Sequence, residues 1–389
     1  LAKLFLRRNE ERRIKSGHLW VFSNEVLEID GDVSNGDIVE IFDFKENYLG
    51  SGFYNKSSLI SVRLLGKDYK GDYPGYVSSA IKRAYDLRKQ FYPYSESFRL
   101  VFSESDFLPG LIIDKYNNTF VIQVYSFGVQ KNIDAVVDVL KKQFNAGNIF
   151  SRNESYFRKL EGLPEEDEIY FGSMGEEIID DGDIKYKIDF SNSQKTGFYF
   201  DQSDNRKFIG RIVGGKSVLD AFCFSGGFGL HAAKAGASSV AFVDSSKTEI
   251  ENAKYNLELN GLETLAEFIE SDVFDYLEEC NSLNKKFDVV MLDPPAFAKS
   301  KKNIPAAIKG YTKLNKLALN AVNEGGFLVT SSCSYHIKQN DFIEAVSSAA
   351  AKAGRTIQLI HVAGASLDHP RLPAMEETSY LKFAVFKVR

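Results

Sequence analysis

From about residue 191 the chain alternates apolar runs of strand length with helical stretches, and this alternation limits its fold more than any other feature. Ser217–Asp220, Ser239–Val243, Ala266–Glu270, Phe287–Leu292 and Gly326–Thr330 have the length and apolar content of buried strands. Between them Gly229–Ala235, Lys247–Leu259, Asn315–Ala321 and Asn340–Ala353 read as helices, and Tyr380–Val388 gives a further strand run. Strands joined by helices make an α/β fold with a doubly wound, mostly parallel sheet, because each crossover helix must cover a sheet face. Such a sheet takes its ligands beyond the carboxyl ends of its strands, so function is read first from the residues at those ends.

The first strand runs into Asp220-Ala221-Phe222-Cys223-Phe224-Ser225-Gly226-Gly227-Phe228. This is not the glycine fingerprint of a dinucleotide site. A pyrophosphate is repelled by a carboxylate so near, whereas a zwitterionic amino-acid group with a sulfonium centre tolerates it. Glycines there let the backbone approach a ligand closely. The second strand ends on Asp244, suited to accept hydrogen bonds from a ribose diol. Asp272 follows the third and suits an adenine amino group. Each acid alone would serve as a helix N-cap; three at successive strand ends make a ligand-binding edge. At the fourth strand end stands Leu292-Asp293-Pro294-Pro295-Ala296-Phe297. Each proline fixes φ and removes an N–H, leaving loop carbonyls free to accept. Carboxylate and carbonyls suit the polar edge of a flat base, and Phe297 its face.

This series resembles the class I S-adenosylmethionine-dependent methyltransferases, with the motifs in the family's order. The resemblance implies a Rossmann-like domain. Asp220 and Gly226, Gly227 and Phe228 would hold the methionine moiety, with Phe222 and Ser225 in the same cofactor-binding turn. Asp244 would hold the ribose and Asp272 the adenine. Asp293 to Phe297 would face the substrate base, Asp293 also touching the cofactor.

Thr330-Ser331-Ser332-Cys333-Ser334 closes the next strand, so Cys333 points at the same crevice. C5 of cytosine is a poor nucleophile until a thiolate adds to C6 and makes an enamine. Cys333 suits that covalent step, and Asp293 suits the N3 position whose protonation eases it. Nearby lysines would favour the thiolate. Cys223 and Cys280 read as small buried hydrophobes.

The chain is similar nearly end to end to the large-subunit (23S) ribosomal RNA cytosine-C5 methyltransferases with an N-terminal PUA domain. The marks are Arg7-Arg8, His18-Leu19-Trp20-Val21-Phe22-Ser23, Lys195-Thr196-Gly197-Phe198-Tyr199-Phe200-Asp201-Gln202-Ser203-Asp204-Asn205-Arg206, the Gly-Gly-Phe turn, Leu292-Asp293-Pro294-Pro295, Ser332-Cys333-Ser334, Asp368-His369-Pro370 and Tyr380-Leu381-Lys382. The resemblance makes Cys333 the nucleophile and puts Lys195 and Gln202 beside the cofactor. Ser203 stands where many relatives carry Arg, and Ala296 where several carry Lys. Other RNA cytosine-C5 methyltransferases use a second cysteine directly after the first proline of the loop; Pro295 takes that place here. Cys333 would then act without a second thiol, with the C5 proton going to Asp293, a water or another group.

Residues 1–70 read as a small all-β, PUA-like barrel with four strand runs (Leu19–Phe22, Ile38–Phe42, Leu49–Tyr54, Ile60–Leu65). Residues 71–190 read as an α+β central domain shaping the RNA cleft, and 191–389 as the methyltransferase domain. The formal net charge of −5 excludes a bulk polycation, so RNA contact must come from patches. Two exist: Arg7 and Arg8 with their basic neighbours, and Lys299, Lys301, Lys302 and the lysines that follow. Three cysteines without metal-ligand spacing argue against bound metal. No apolar run nears the roughly 20 residues that span a bilayer, and Leu1–Ile14 is basic, so the expected location is the cytoplasm. The expected partner is large-subunit rRNA, naked or in an assembling particle; a homodimer is compatible with the sequence. Two rival readings keep part of this frame. One methylates an exocyclic base amine through the Asp-Pro-Pro-aromatic loop without a cysteine. The other is a non-catalytic RNA-binding or ribosome-assembly protein.

Overall fold

The computed structural model describes residues 1–191, 196–298 and 300–389. They form two compact units with interleaved chain paths. One holds Leu1–Ile179, Ile188–Phe200 and Leu367–Thr378; the other holds Asp180–Lys187, Asp201–Ser366 and Ser379–Arg389.

The first unit begins with a six-stranded sheet in the spatial order 20–22, 60–66, 48–54, 38–42, 3–6, 26–30. All four strand runs read from the sequence are present. Lys3–Leu6 is an additional strand inside the segment read only as basic. Its Leu4 and Leu6 alternate into the core, the period-two pattern of a half-buried strand, and it pairs in parallel with Ile38–Phe42. Part of the basic start is neutralised locally: Arg13 pairs with Glu25, and Lys15 with Asp43 at 2.9 Å.

A second sheet of the same unit has the order 169–171, 148–151, 119–124, 111–116, 97–102. Helix Tyr73–Phe91 packs on it. The Asp72 side chain accepts from the Gly75 N–H at 3.0 Å, and Pro74 occupies the first turn, both favourable at a helix start. Val77, Ala80, Ile81 and Ala84 share one face and meet Val136 and Leu140 of helix Ile133–Phe144. Fully buried Arg88 makes two bonds to Asp106 (2.6 and 2.7 Å) and a third to the Asp368 carbonyl at 2.8 Å. Asp368 in turn accepts from the Arg99 N–H at 2.9 Å and pairs with His369 at 2.7 Å. Met375 sits within the core of the first sheet beside Leu4 and Leu6. These contacts bind residues 367–378 into this unit.

The second unit is a seven-stranded sheet of β1 (Ser217–Ala221), β2 (Ser239–Asp244), β3 (Leu265–Glu270), β4 (Phe287–Leu292), β5 (Val322–Ser332), β6 (Ile357–Ala363) and β7 (Lys382–Val388). The order is β3-β2-β1-β4-β5-β7-β6, with β7 antiparallel to both neighbours and the others joined in parallel. The helices are α1 (Ser203–Ile209), α2 (Gly227–Lys234), α3 (Lys247–Leu259), α4 (Val273–Ser282), α5 (Ile304–Ala321) and α6 (Gln339–Lys352). Helix α5 begins at Ile304 rather than at the expected Asn315. Pro305 starts it, Ala307, Tyr311, Leu314 and Ala318 bury one face, and Lys309, Lys313 and Lys316 line the exposed one. The lysine run there is the solvated side of a helix. Strand β6 was not expected: none of its residues is fully buried, so it has no core-strand signature. Among the described residues no helix is long and apolar enough to cross a membrane.

Candidate active site

Strand register sets the acids on one edge. Ala221 lies opposite Val243 on one side and Leu292 on the other, and Asp244 opposite Glu270. Asp220 is thus one residue inside the end of β1, Asp244 ends β2, and Asp293 follows β4 with its N–H on the Ala221 carbonyl at 3.3 Å. Asp272 is different. It is exposed and caps α4, accepting from the N–H groups of Phe274 (2.8 Å) and Asp275 (3.3 Å), the capping role open to any single acid here.

The turn after β1 is tightly specified. Phe222, Phe224 and Gly226 all have positive φ, at 62°, 49° and 87°. Two phenylalanines in the left-handed region are costly and persist where the surroundings fix them. The Cys223 N–H bonds the Val243 carbonyl at 3.0 Å, and the Phe224 N–H bonds Asp244 Oδ2 at 3.0 Å. The Ser225 carbonyl accepts from Asn256 at 3.1 Å. Gly227 lies against the Arg206 side chain, where an added Cβ would stand 2.6 Å from Nε. The Gly229 N–H donates to Asp220 Oδ2 at 2.6 Å. Buried Phe228 stacks in parallel on Phe383.

Burial raises the pKa of two of these acids, Asp220 and Asp293. Asp220 is pushed up to about 7, mainly by burial and further by the charge of Asp293. Asp293 is pushed up to about 6, again mainly by burial, then by the charge of Asp201. The Arg206 guanidinium pulls both down. Gln202, fixed by Asn205 at 2.7 Å, donates to Asp293 at 2.9 Å and to Ser331 at 3.2 Å. Asp201 accepts from the Tyr380 hydroxyl at 2.6 Å. An acid near 6 exists in both protonation states around neutrality, so it can donate to or accept from a bound base.

The thiol lies beside this acid's loop. Leu292 is opposite Thr330 in the β4–β5 pairing, so the two strand ends are neighbours, and Cys333 Sγ donates to the Pro294 carbonyl at 3.8 Å. That carbonyl, expected to be free for a ligand, is engaged by the thiol. Cys333 is partly exposed, whereas Cys223 and Cys280 are buried and burial raises both their thiols. Behind Cys333, the Tyr311 hydroxyl lies 2.9 Å from the hydroxyls of both Ser332 and Ser334. Lys382 Nζ donates to the carbonyls of Ser334 and Tyr380, each at 2.6 Å.

The remaining expectations fall out unevenly. Pro295 is exposed at the loop tip while Pro294 is buried. Phe297 packs on Tyr311 at 4.6 Å between ring centroids, so part of the ring expected to stack on a base is engaged in the protein. Lys301 and Lys302 are exposed in a short 3-10 turn. Arg7 and Arg8 are exposed and belong to the first unit. Lys195 and Lys299 lie outside the described residues. Arg206, Asp201, Tyr311 and Lys382 were not singled out for chemistry. Three of them stand in the quoted motifs Lys195–Arg206 and Tyr380–Lys382, which was the available signal.

Comparison with known proteins fits this geometry. The PUA-like domain family matches residues 4–67, and the S-adenosylmethionine-dependent methyltransferase family matches residues 172–387. A protein of Aeromonas hydrophila named Ribosomal RNA large subunit methyltransferase I is 36% identical over 396 residues, covering 100% of both chains. Its namesake in Photobacterium profundum is 37% identical over 388 residues, 98% of each. Among solved structures, a chain described as a methyltransferase complexed with SAH superposes with a TM-score of 0.85 at 21% identity, covering 100% of both chains. Another, described as a SAM-dependent methyltransferase from Streptococcus mutans, gives 0.83 at 20% identity, again over 100% of both.

Proposed function

The chain belongs to the S-adenosylmethionine-dependent large-subunit ribosomal RNA methyltransferase I family, and from that premise we propose that it methylates C5 of a cytosine in large-subunit rRNA through a covalent bond from Cys333. The observation that carries this reading is the Cys333 thiol on the Pro294 carbonyl, at the joined ends of β4 and β5.

The residues at the edge fit the cofactor. A buried acid beside a glycine turn suits the amino end of its methionine moiety, and half-open Asp244 suits its ribose diol. Once bound, S-adenosylmethionine would supply an electrophilic methyl group, the S–CH3 bond pair staying on sulfur and SAH leaving. Gln202 fixes the Asp293 carboxyl; in its protonated form that carboxyl donates to N3 of the base and draws electron density from C6. The Cys333 thiolate adds there: an S–C6 bond forms and the π electron pair moves to C5, which takes the methyl group. A base then removes the C5 proton, and the S–C6 bond breaks to restore the aromatic ring and the thiolate. A target cytosine within folded RNA must first be extruded to reach this crevice. The PUA-like domain is assigned to RNA contact, with exposed Arg7 and Arg8 among its phosphate-binding cations.

Replacing Cys333 by Ala tests the reading. Methyl transfer to unmodified rRNA should fall below detection while calorimetric binding of SAH is retained. Retained transfer would overturn the C5 mechanism in favour of an exocyclic amine, whose methylation needs no thiol. RNA containing 5-fluorocytosine should be trapped on Cys333; an adduct on another residue would refute the assignment.

A further inference from the structure

Cys333 must lose its thiol proton before it can attack, and the strand paired with its own carries a lysine close to it in register. Lys382 opens β7 directly opposite Ser332 of β5. Its Nζ is held by the carbonyl of Ser334, the residue after Cys333, and by the carbonyl of Tyr380. A tetrahedral nitrogen bonded to Cε and donating to two carbonyls has one position left. Lys382 is 6% exposed, and burial lowers its amine to about 8 against the upward pull of the Cys333 charge. A neutral amine is therefore accessible near neutral pH, unlike that of a solvated lysine. Among the described residues, ionisable groups on the neighbouring segments include the Tyr311 phenol from α5, Asp293 from the β4 loop, the Tyr380 phenol bonded to Asp201, and His336 three residues beyond Cys333.

We propose that the remaining position on Lys382 Nζ takes the Cys333 thiol proton, leaving an ammonium that faces the thiolate. The S–H bond breaks, an N–H bond forms, and the electron pair stays on sulfur. When the thiolate later leaves C6 it returns to the same ammonium. The two carbonyls hold the nitrogen in place in either protonation state. The catalytic use of this pairing rests on Cys333 being the nucleophile; the pairing itself and its test do not.

Alkylation of Cys333 by iodoacetamide, followed by peptide mass spectrometry from pH 5.5 to 10, reads the thiol directly. Lys382→Met should move the midpoint upward and slow alkylation at pH 7 by about tenfold, as loss of an adjacent opposite charge does. Lys382→Arg cannot take the thiol proton but keeps the positive charge that faces the thiolate, so its alkylation midpoint should stay near wild type. Where melting shows the Met variant unfolded, Lys382→Gln, which can still donate to the carbonyls, takes its place. A profile for the uncharged variant that superimposes on wild type would overturn the pairing, as would an Arg variant as slow as the uncharged one, provided that both bind SAH. If Cys333→Ala retains methyl transfer while loss of the Lys382 charge still slows alkylation, the nucleophile reading fails and the pairing stands. If the Ala variant is inactive and alkylation does not respond to Lys382, the pairing alone fails.

Discussion

Replacing Asp220 by Asn should stabilise the ligand-free protein, increasingly so as the pH rises. The carboxyl is 1% exposed and is pushed up from 3.8 to about 7. Its folded value lies above its unfolded one, so the native state binds the proton more tightly. The associated stability is fully present below about pH 4 and is lost as the pH climbs towards 7. Each pH unit is worth about 1.4 kcal/mol, which makes the whole loss at most about 4 kcal/mol, with up to about 3 kcal/mol of it between pH 5 and 7. Asn cannot ionise, yet its carbonyl can still accept from the Gly229 N–H. The stability gap between variant and wild type should therefore widen from pH 5 to 7 and level off above. Calorimetric melts of the ligand-free proteins at pH 5, 6, 7 and 8 measure it; at about 2–4 °C per kcal/mol for a unit of this size, the Tm gap should grow by several degrees. A gap independent of pH, or an Asn variant less stable than wild type at pH 8, would refute the claim that this acid is held at a cost. The same variant should bind SAH more weakly, because the charge it lacks is the one assigned to the cofactor's amino group.

Two further substitutions probe the framework. Gly229→Ala would put a Cβ 2.2 Å from the Phe242 ring; overpacking of that kind costs about 1–3 kcal/mol, and SAH calorimetry should show weaker binding because the Asp220 anchor moves with it. Asp106→Ala would leave the Arg88 guanidinium buried without its carboxylate. Uncompensated charges of this sort cost about 3–5 kcal/mol, so melting of the first unit should fall sharply while the second unit keeps its own transition.

The parallel half of the catalytic sheet was legible because each of its strands is an apolar run bounded by a polar end, and the acids lie in the chain next to the strands that carry them. Asp220, Asp244 and Asp293 could be assigned to one edge from order alone. Asp272 was assigned to the same edge, as the adenine acid, and the structure shows its side chain capping α4. Lys382 escaped because its importance comes from the antiparallel pairing of β7 with β5, which sets it opposite Ser332; no local pattern states which distant strands pair. Arg206 was hidden similarly, its contact with Gly227 arising only once α1 meets the β1 turn. Lys3–Leu6 was missed because charge masked a two-residue alternation, and the first turns of α5 because lysines on a solvated face resemble a loop.

The interleaved chain path bears on how the protein is made. Residues 367–378, which supply Met375 to the first sheet's core and the Asp368 carbonyl to Arg88, are synthesised after Asp201–Ser366. At ribosomal rates of about 5–20 residues per second, the first unit waits on the order of ten seconds or more. During that interval it has an unfilled apolar seat and a buried guanidinium short of one acceptor. The amino-terminal unit thus finishes folding after most of the catalytic unit has been translated, and a chain cut before Leu367 would never complete it.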